Sequence, residues 1–309
     1  MKRMLNLVAA VAVGVMLASS AQAQTKVRLG LSLSPENAGA YVAKEQGIFA
    51  KQGLDVEIVP TPINSNMPPA MIAKAIDVGS LAVTIFLQAV DGGLELQTVT
   101  TVSPTTRIGS RIGILAREGI VATNGASVEG KRLGVPAFGG LVHIIARQWV
   151  IDTGGDYKKV AFIEAPFPQM PDMLKAGNVD LVATTDPFFA RIVDGGIGKS
   201  IADLAMTMPE GLPTSVDAVT RDYAAANPAV LKAFRSAIDE AVKSMVADPE
   251  AARVALGTHI KLPPEILKIA PLPKAPPPLT LAMLQWWVDA IGKQDMVKNK
   301  TIGGGAMAP

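Results

Sequence analysis

The sequence predicts an α/β protein built from two lobes of similar construction. Short apolar strand patterns alternate with helix patterns, which favours largely parallel sheets covered by helices on both faces. The alternation occurs twice, once before residue 103 and once after residue 110. In addition, residues 71–78 resemble residues 173–181, since in both a short helix passes through an acidic residue into a strand. Chance similarity between alanine-rich segments is the alternative explanation of this echo.

The first series contains four predicted strands. Val27, Leu29 and Leu31 alternate with polar or small residues, which predicts a strand over residues 26–33 that ends at the turn 34–37. Further strands are predicted at 55–59, 77–79 and 96–102, and helices at 38–52, 68–76 and 85–90.

The second series is followed by a mostly helical last third. Its strands are predicted at 111–115, 132–135, 160–163, 181–184 and 201–204, and its helices at 141–152, 170–176 and 187–193. Asn227-Pro228 and Asp248-Pro249 each place a capping residue before proline, which predicts two helix starts. A last helix is predicted at 279–291, a proline-rich segment at 263–278 is predicted to lie extended over the surface, and 303–309 is predicted to be a frayed tail.

The N-terminal segment has the three parts of a secretory signal peptide. Lys2 and Arg3 precede the apolar run 5–17, and Ala21-Gln22-Ala23 follows as an Ala-x-Ala cleavage signal. The apolar run is too short to span a membrane as a helix. We therefore expect cleavage after Ala23 and a periplasmic chain that starts at Gln24, with an uncleaved membrane anchor as the alternative.

Composition excludes several classes of protein and site. Without Lys2 and Arg3 the chain carries 27 basic and 27 acidic residues, so nucleic acid is not expected as a partner. The absence of cysteine excludes disulfides, thiolate chemistry and cysteine-ligated metals. The two histidines, His143 and His259, are far apart in sequence, and we expect no metal and no cofactor.

Four short motifs occur in order behind the predicted signal peptide. They are 43–49 followed by 53–57, 128–136, 174–180 leading to Asp186-Pro187, and Asn227-Pro228 with the helix after it. Each motif is weak alone. With this order and spacing, residues 26–297 resemble the extracytoplasmic solute-binding proteins of ABC importers, in the family that binds nitrate, taurine, aliphatic sulfonates and thiamine precursors.

The resemblance implies a periplasmic-binding-protein-like (type II) fold, in which two α/β lobes are joined by a two-strand hinge. Lobe 1 would comprise residues 24–104 and 215–309, and lobe 2 residues 105–214, with crossings near 102–106 and 213–217. The solute would bind in the cleft and the lobes would close on it. Loops at the carboxyl ends of strands should face that cleft.

The turn 136–141 is the strongest candidate for a ligand site, because it follows a strand and opens a helix. Its exposed backbone N–H groups would suit an anion, although an ordinary glycine turn is the alternative. The serine or threonine that sulfonate and nitrate binders often place here is replaced by Phe138, Gly139 and Gly140. A ligand that stacks on Phe138 is therefore an alternative to a sulfonate. His143, one turn inside the helix, is a further candidate.

Small polar residues follow the strands of the first series and are candidates for the opposite wall. They are Ser34, Asn37, Asn64, Ser65 and Ser80, with Ala82 beside them, and turn or cap chemistry is the alternative for each. In lobe 2, Asp186 either accepts a hydrogen bond from the ligand or caps the helix after it. Arg107 and Arg111 are candidate sources of positive charge.

The resemblance implies a monomeric binding protein that delivers a small organic solute, anionic or aromatic, to a membrane permease. A sensor of the same fold that presents its ligand to a receptor kinase is the first alternative. An enzyme like the related pyrimidine synthases is the second. Those synthases need a cysteine-rich segment, which this chain lacks, so we expect no enzymatic activity.

Overall fold

The described part of the chain forms two five-stranded sheets flanked by helices. The computed structural model describes residues 24–106, 111–299 and 301–308, so the predicted signal peptide and Arg107 lie outside the described residues. Among the described helices, none has the length and apolar character needed to cross a membrane.

The strands and helices are numbered here in chain order. The strands are β1 (Thr25–Leu31), β2 (Leu54–Pro60), β3 (Val78–Ala82), β4 (Leu96–Pro104), β5 (Ile112–Arg117), β6 (Arg132–Val135), β7 (Ala161–Glu164), β8 (Leu181–Thr185), β9 (Gly198–Asp203) and β10 (Pro213–Thr220). The helices are α1 (Ala38–Glu45), α2 (Ile48–Lys51), α3 (Met67–Ile72), α4 (Val83–Asp91), α5 (Leu141–Asp152), α6 (Met170–Lys175), α7 (Phe188–Asp194), α8 (Arg221–Ala226), α9 (Pro228–Ala247), α10 (Pro249–His259), α11 (Pro264–Ile269) and α12 (Leu281–Gly292).

The two sheets have the same arrangement of strands. The first has the order β2-β1-β3-β10-β4 and the second the order β7-β6-β8-β5-β9. In each sheet, three neighbouring strands are parallel, and a strand that arrives from the other lobe runs antiparallel to both of its neighbours. The prediction of largely parallel sheets is therefore wrong for half of the strand pairs, because β10 and β5 each enter their sheet against its direction.

The chain passes between the sheets twice, after β4 and after β9. The start of β10 pairs with the end of β4, Pro213 against Pro104, so the two connections lie side by side. We call the first sheet with its helices lobe 1 and the second sheet with its helices lobe 2. The boundaries predicted at 104/105 and 214/215 remain predictions.

Three predicted segments differ from the structure. The segment 263–278, predicted to lie extended, contains helix α11, because proline is tolerated at the first position of a helix. The predicted helix 38–52 is two helices, α1 and α2, because Gly47 between them has a positive φ of 67°. The predicted frayed tail 303–309 is wrong, because Met307 bridges to Thr98 of β4 and the Ala308 N–H donates to the Thr98 carbonyl at 2.9 Å.

Helices from the end of the chain cover lobe 1. Helix α9 packs on α1 and α2, and its Phe234 ring stacks on Phe49 of α2 at 5.5 Å. Helix α12 packs on α4, and the fully buried Trp287 donates its Nε1–H to the Pro213 carbonyl at 2.7 Å. The C-terminal helix therefore fixes the strand that begins at the hinge.

Trp287→Phe should lower the free energy of unfolding by about 1–3 kcal/mol, because the Pro213 carbonyl loses its buried donor. Chemical denaturation measures the loss. The half-buried neighbour provides the control, since Trp286→Phe should cost less. Equal losses at the two positions would show that the Trp287 hydrogen bond does not hold the hinge strand.

Candidate functional site

A cavity of about 340 Å³ lies in the cleft between the lobes. Lobe 1 contributes residues that follow β1, β2 and β3, and lobe 2 contributes residues that follow β6 and β8, as expected for open α/β sheets. The lining residues are Ser32, Ser34, Pro35, Glu36, Pro62, Asn64, Ala82, Ser103, Pro104, Thr105, Thr106, Ile112, Pro136, Ala137, Gly140, Leu141, Val142, Phe167, Thr185, Asp186, Met208, Thr214, Ser215 and 271–274.

The turn after β1 places a carboxyl group at the cavity. Residues 35–37 form one turn of 3₁₀ helix, and Asn37 Nδ2 fixes it by donating to the Ser32 carbonyl at 2.9 Å. Glu36 in this turn lines the cavity and accepts a hydrogen bond from Ser215 Oγ at 2.9 Å. Burial raises the pKa of Glu36, and the hydrogen bond from Ser215 partly offsets the rise.

A buried series of hydrogen-bonded polar side chains lies behind the turn that carries Glu36. Ser80 Oγ donates to Asn37 Oδ1 at 2.8 Å, and Asp217, 3% exposed, hydrogen-bonds with Ser80. Burial raises the pKa of Asp217 to about 7, and the bond with Ser80 lowers it in part. The structure thus places Asn37 and Ser80, two candidate ligand residues, beneath the wall and not on the cavity surface.

Two further candidates from lobe 1 lie on different sides of the wall. Asn64 lines the cavity, and its Oδ1 accepts from the N–H of Ala82, which also lines the cavity, at 2.7 Å. Ser65 does not line the cavity. Its Oγ instead donates across the cleft to Glu164 Oε1 at 3.0 Å, which joins the two lobes.

The turn after β6 presents backbone to the cavity, and its aromatic side chain lies outside. Gly140 lines the cavity with Ser34 opposite, whereas Phe138, Gly139 and His143 do not line it. Phe138 is 47% exposed, and its ring centroid lies 5.6 Å from that of His143. Stacking of a ligand on Phe138 is therefore not supported by the geometry.

Contacts within and across the cleft explain the path of this turn. The Phe138 N–H donates to Glu164 Oε1, and the Gly139 carbonyl accepts from Gln88 Nε2 of α4 at 2.9 Å. The Gly139 N–H donates to His143 Nδ1 at 2.9 Å. Burial lowers the pKa of His143 to about 3, with a further contribution from the charge of Arg147, so the ring is a neutral acceptor.

Asp186 caps the helix that follows it, which is one of the two roles that the sequence left open, and its second oxygen pairs with an arginine. Its Oδ1 accepts from the Ala190 N–H at 3.2 Å and so caps α7, while Oδ2 accepts from Arg111 Nε at 3.0 Å. Asp186 also lines the cavity. Its charge is therefore already matched by the Arg111 guanidinium.

Sequence reasoning missed several lining residues. Glu36 lies between two named candidates, so its position in the turn was a usable signal. Phe167 provides the aromatic surface that was expected from Phe138, and its ring stacks on Phe188 at 5.8 Å. Residues 271–274 of the proline-rich segment also line the cavity, which corrects their predicted place on the outer surface.

Comparison with known proteins identifies the family. The model of the family described as NMT1/THI5 like matches residues 34–252, most of the chain. The chain belongs to the NMT1/THI5-like family. The resemblance stated from the sequence motifs is thereby confirmed at the level of the family. A search of curated proteins found no significant match.

Solved structures confirm the predicted fold of this NMT1/THI5-like protein. The alkanesulfonate-binding protein SsuA from Xanthomonas axonopodis pv. citri bound to MOPS is 20% identical, with a TM-score of 0.77 over 92% of this chain and 98% of that chain. The periplasmic nitrate-binding protein NrtA from Synechocystis PCC 6803 is 18% identical, with a TM-score of 0.72 over 90% of this chain and 83% of that chain. At these identities the likeness shows the two-lobed periplasmic-binding-protein fold.

Asp217→Asn should make the protein more stable at pH 8 and leave its stability nearly unchanged at pH 4. A carboxyl group whose pKa is raised in the folded state contributes most to the free energy of unfolding at pH values below its unfolded pKa of about 3.9. That contribution is lost as the pH rises through the folded-state pKa of about 7. Asparagine is neutral at both values and keeps the hydrogen-bonding shape. Melting temperatures across this range, with the exposed Asp239→Asn as control, measure the effect. A pH-independent difference would contradict it.

Proposed function

We propose that the protein is the extracytoplasmic solute-binding component of an ABC importer, which captures a small organic solute in the cleft and delivers it to a membrane permease. The cavity of about 340 Å³, to which strand ends of both lobes contribute, is the observation that carries the proposal. Its size suits a compact organic molecule. Membership of the family and the structural likeness to the alkanesulfonate-binding SsuA and the nitrate-binding NrtA support the same proposal.

The cross-cleft contacts suit a protein that opens and closes. Ser65 donates to Glu164 at 3.0 Å, and Gln88 donates to the Gly139 carbonyl at 2.9 Å. A hydrogen bond of this kind contributes about 0.5–1.5 kcal/mol net. Gln294, after α12, also donates to the Ile144 carbonyl of α5 in lobe 2 at 3.0 Å, so the two cleft bonds are part of a larger contact between the lobes. A solute that contacts both walls would therefore shift the population towards the closed arrangement.

The same proposal includes export, a periplasmic location and a monomeric, non-enzymatic state. Cleavage after Ala23 would release the chain that begins at Gln24, and a permease would accept the solute from the closed protein. The sensor alternative uses the same cleft with a receptor in place of the permease. Transport of the bound solute by cells that lack this protein, with and without complementation, separates the two.

Solute binding should shorten the distance between the lobes. Because the chain has no cysteine, spin labels at Glu57→Cys on β2 and Ala161→Cys on β7 report one distance, measured by pulsed electron resonance. A thermal-shift screen of sulfonates, nitrate, aromatic acids and pyrimidines first selects the most stabilising solute. The control pair, Glu57→Cys with Glu95→Cys, lies within lobe 1 and should not change. An unchanged distance between the lobes at saturation would contradict closure.

Phe167→Ala should weaken binding of the selected solute by about tenfold or more, whereas Phe138→Ala should change it by less than twofold. Phe167 lines the cavity and Phe138 does not, and truncation of a buried aromatic anchor costs on the order of 1–3 kcal/mol. Calorimetry gives both affinities, and melting curves check that both variants fold. A larger loss at Phe138 than at Phe167 would contradict this placement of the site.

A further inference from the structure

The charged groups of the cavity differ in how well they are paired. Among the described residues, three charged side chains line it: Glu36, Asp186 and Lys274. Asp186 is matched by Arg111, and Lys274 is exposed. For Glu36, the described residues supply one hydroxyl donor, Ser215 Oγ, and no ion pair. Its carboxyl group therefore has acceptor capacity that the described protein groups do not use.

Three hydroxyl groups that line the cavity already donate their hydrogen to a protein acceptor. Thr105 Oγ1 donates to the Pro209 carbonyl, Thr214 Oγ1 donates to the Ser103 carbonyl at 2.9 Å, and Ser215 Oγ donates to Glu36. A hydroxyl has one hydrogen, so these three groups can still accept from a solute but have no second hydrogen to donate. These three hydroxyl groups therefore suit an N–H group of a solute better than an oxyanion.

The turn that carries Glu36 holds it firmly in this position. Asn37 donates to both the Ser32 carbonyl, at 2.9 Å, and the Ser32 hydroxyl, at 3.2 Å. Tyr41 donates to the same carbonyl at 3.1 Å. Because the turn is buried and bonded at several points, Glu36 cannot withdraw without loss of these contacts. A solute bound here must therefore satisfy the carboxyl group, since an unpaired acceptor removed from water is costly.

The lobe 2 wall of the cavity offers different chemistry from Glu36. Gly140, Leu141 and Val142 at the start of α5 line it, and the first N–H groups of a helix have no partner within the helix. An oxygen atom of a solute can be accommodated there. Phe167, Leu141 and Leu272 contribute apolar surface to the cavity.

We propose that Glu36 determines the specificity of the cleft, which takes a compact organic solute that presents a cationic or neutral N–H group to the Glu36 carboxylate. A solute whose end at this wall is an oxyanion is disfavoured, because it would place negative charge beside the Glu36 carboxylate. This inference rests on the proposed function of the cleft as a solute site. Charge-assisted hydrogen bonds from N–H groups to carboxylates are among the strongest polar contacts.

Four probes of similar shape test the assignment. Benzamidine is cationic, benzamide is neutral with N–H donors, and benzoate and benzenesulfonate are anions on the same ring. We expect thermal shift and calorimetry to show that benzamidine and benzamide bind more tightly than both anions. Equal or tighter binding of the anions, or no binding of any of the four probes, would overturn the assignment.

Substitution of Glu36 tests the residue itself. Glu36→Gln keeps the shape and can still accept from Ser215, so we expect it to fold and to bind benzamidine at least tenfold more weakly. Glu36→Asp should retain part of the affinity because it keeps the charge. The exposed Glu57→Gln removes the same charge from β2, outside the cavity lining, and should change affinity by less than twofold. Unchanged or tighter benzamidine binding by Glu36→Gln would overturn the proposal.

The outcomes separate this inference from the proposed function. If an anion binds, if Glu36→Gln strengthens it and if Phe167→Ala weakens it, the cleft is a solute site and the assigned ligand class is wrong. If Phe167→Ala and Glu36→Gln leave the affinity of every bound probe unchanged, the cleft is not the binding site and the proposed function also fails.

Discussion

Strand β10 is the element on which the rest of the structure depends. It follows all of lobe 2 in the sequence, yet it pairs with β3 and β4 in lobe 1. Its first carbonyl, from Pro213, accepts from Trp287 of the last helix, Ser215 holds Glu36, and Asp217 is buried behind the cavity wall. A shift of one residue in its register would exchange the faces to which Ser215 and Asp217 project. The hinge, the cavity wall and the packing of the last helix therefore all depend on the pairing of β10 with β3 and β4.

The crossing of the chain also explains why so many elements meet at one cleft. Three parallel strands in each sheet end at the cleft, and an antiparallel strand next to them must begin there. Ile112 at the start of β5 and Thr214 near the start of β10 accordingly line the cavity beside residues that follow parallel strands. The topology that contradicts the prediction of largely parallel sheets thus adds the start of one strand in each lobe to the strand ends available to the site.

Local patterns predicted the elements well, and tertiary contacts decided the site. The helix predicted at 141–152 has those bounds, because apolar spacing and the glycine turn before it are local signals. Whether the turn before it presents Phe138 or backbone to the cleft depends on Gln88 and Glu164, which are distant in sequence. The contacts of Met307 with β4 have the same origin, since a glycine-rich tail carries no pattern for a bridge. Family membership was predictable because the order and spacing of the four motifs together indicate the family, although each motif alone is weak.

Closure and selection are linked through Glu36 in the proposed cycle. In this structure, burial raises the pKa of Glu36 and disfavours its charge. In the proposed cycle, opening of the lobes would expose the carboxyl group to water. Closure without a solute would therefore carry a desolvation cost that the contacts between the lobes must offset. A solute N–H group removes that cost only when it lies against Glu36 inside the cavity. Each 1.4 kcal/mol recovered changes the closed-to-open ratio tenfold, so the group that recognises the solute also makes closure depend on it.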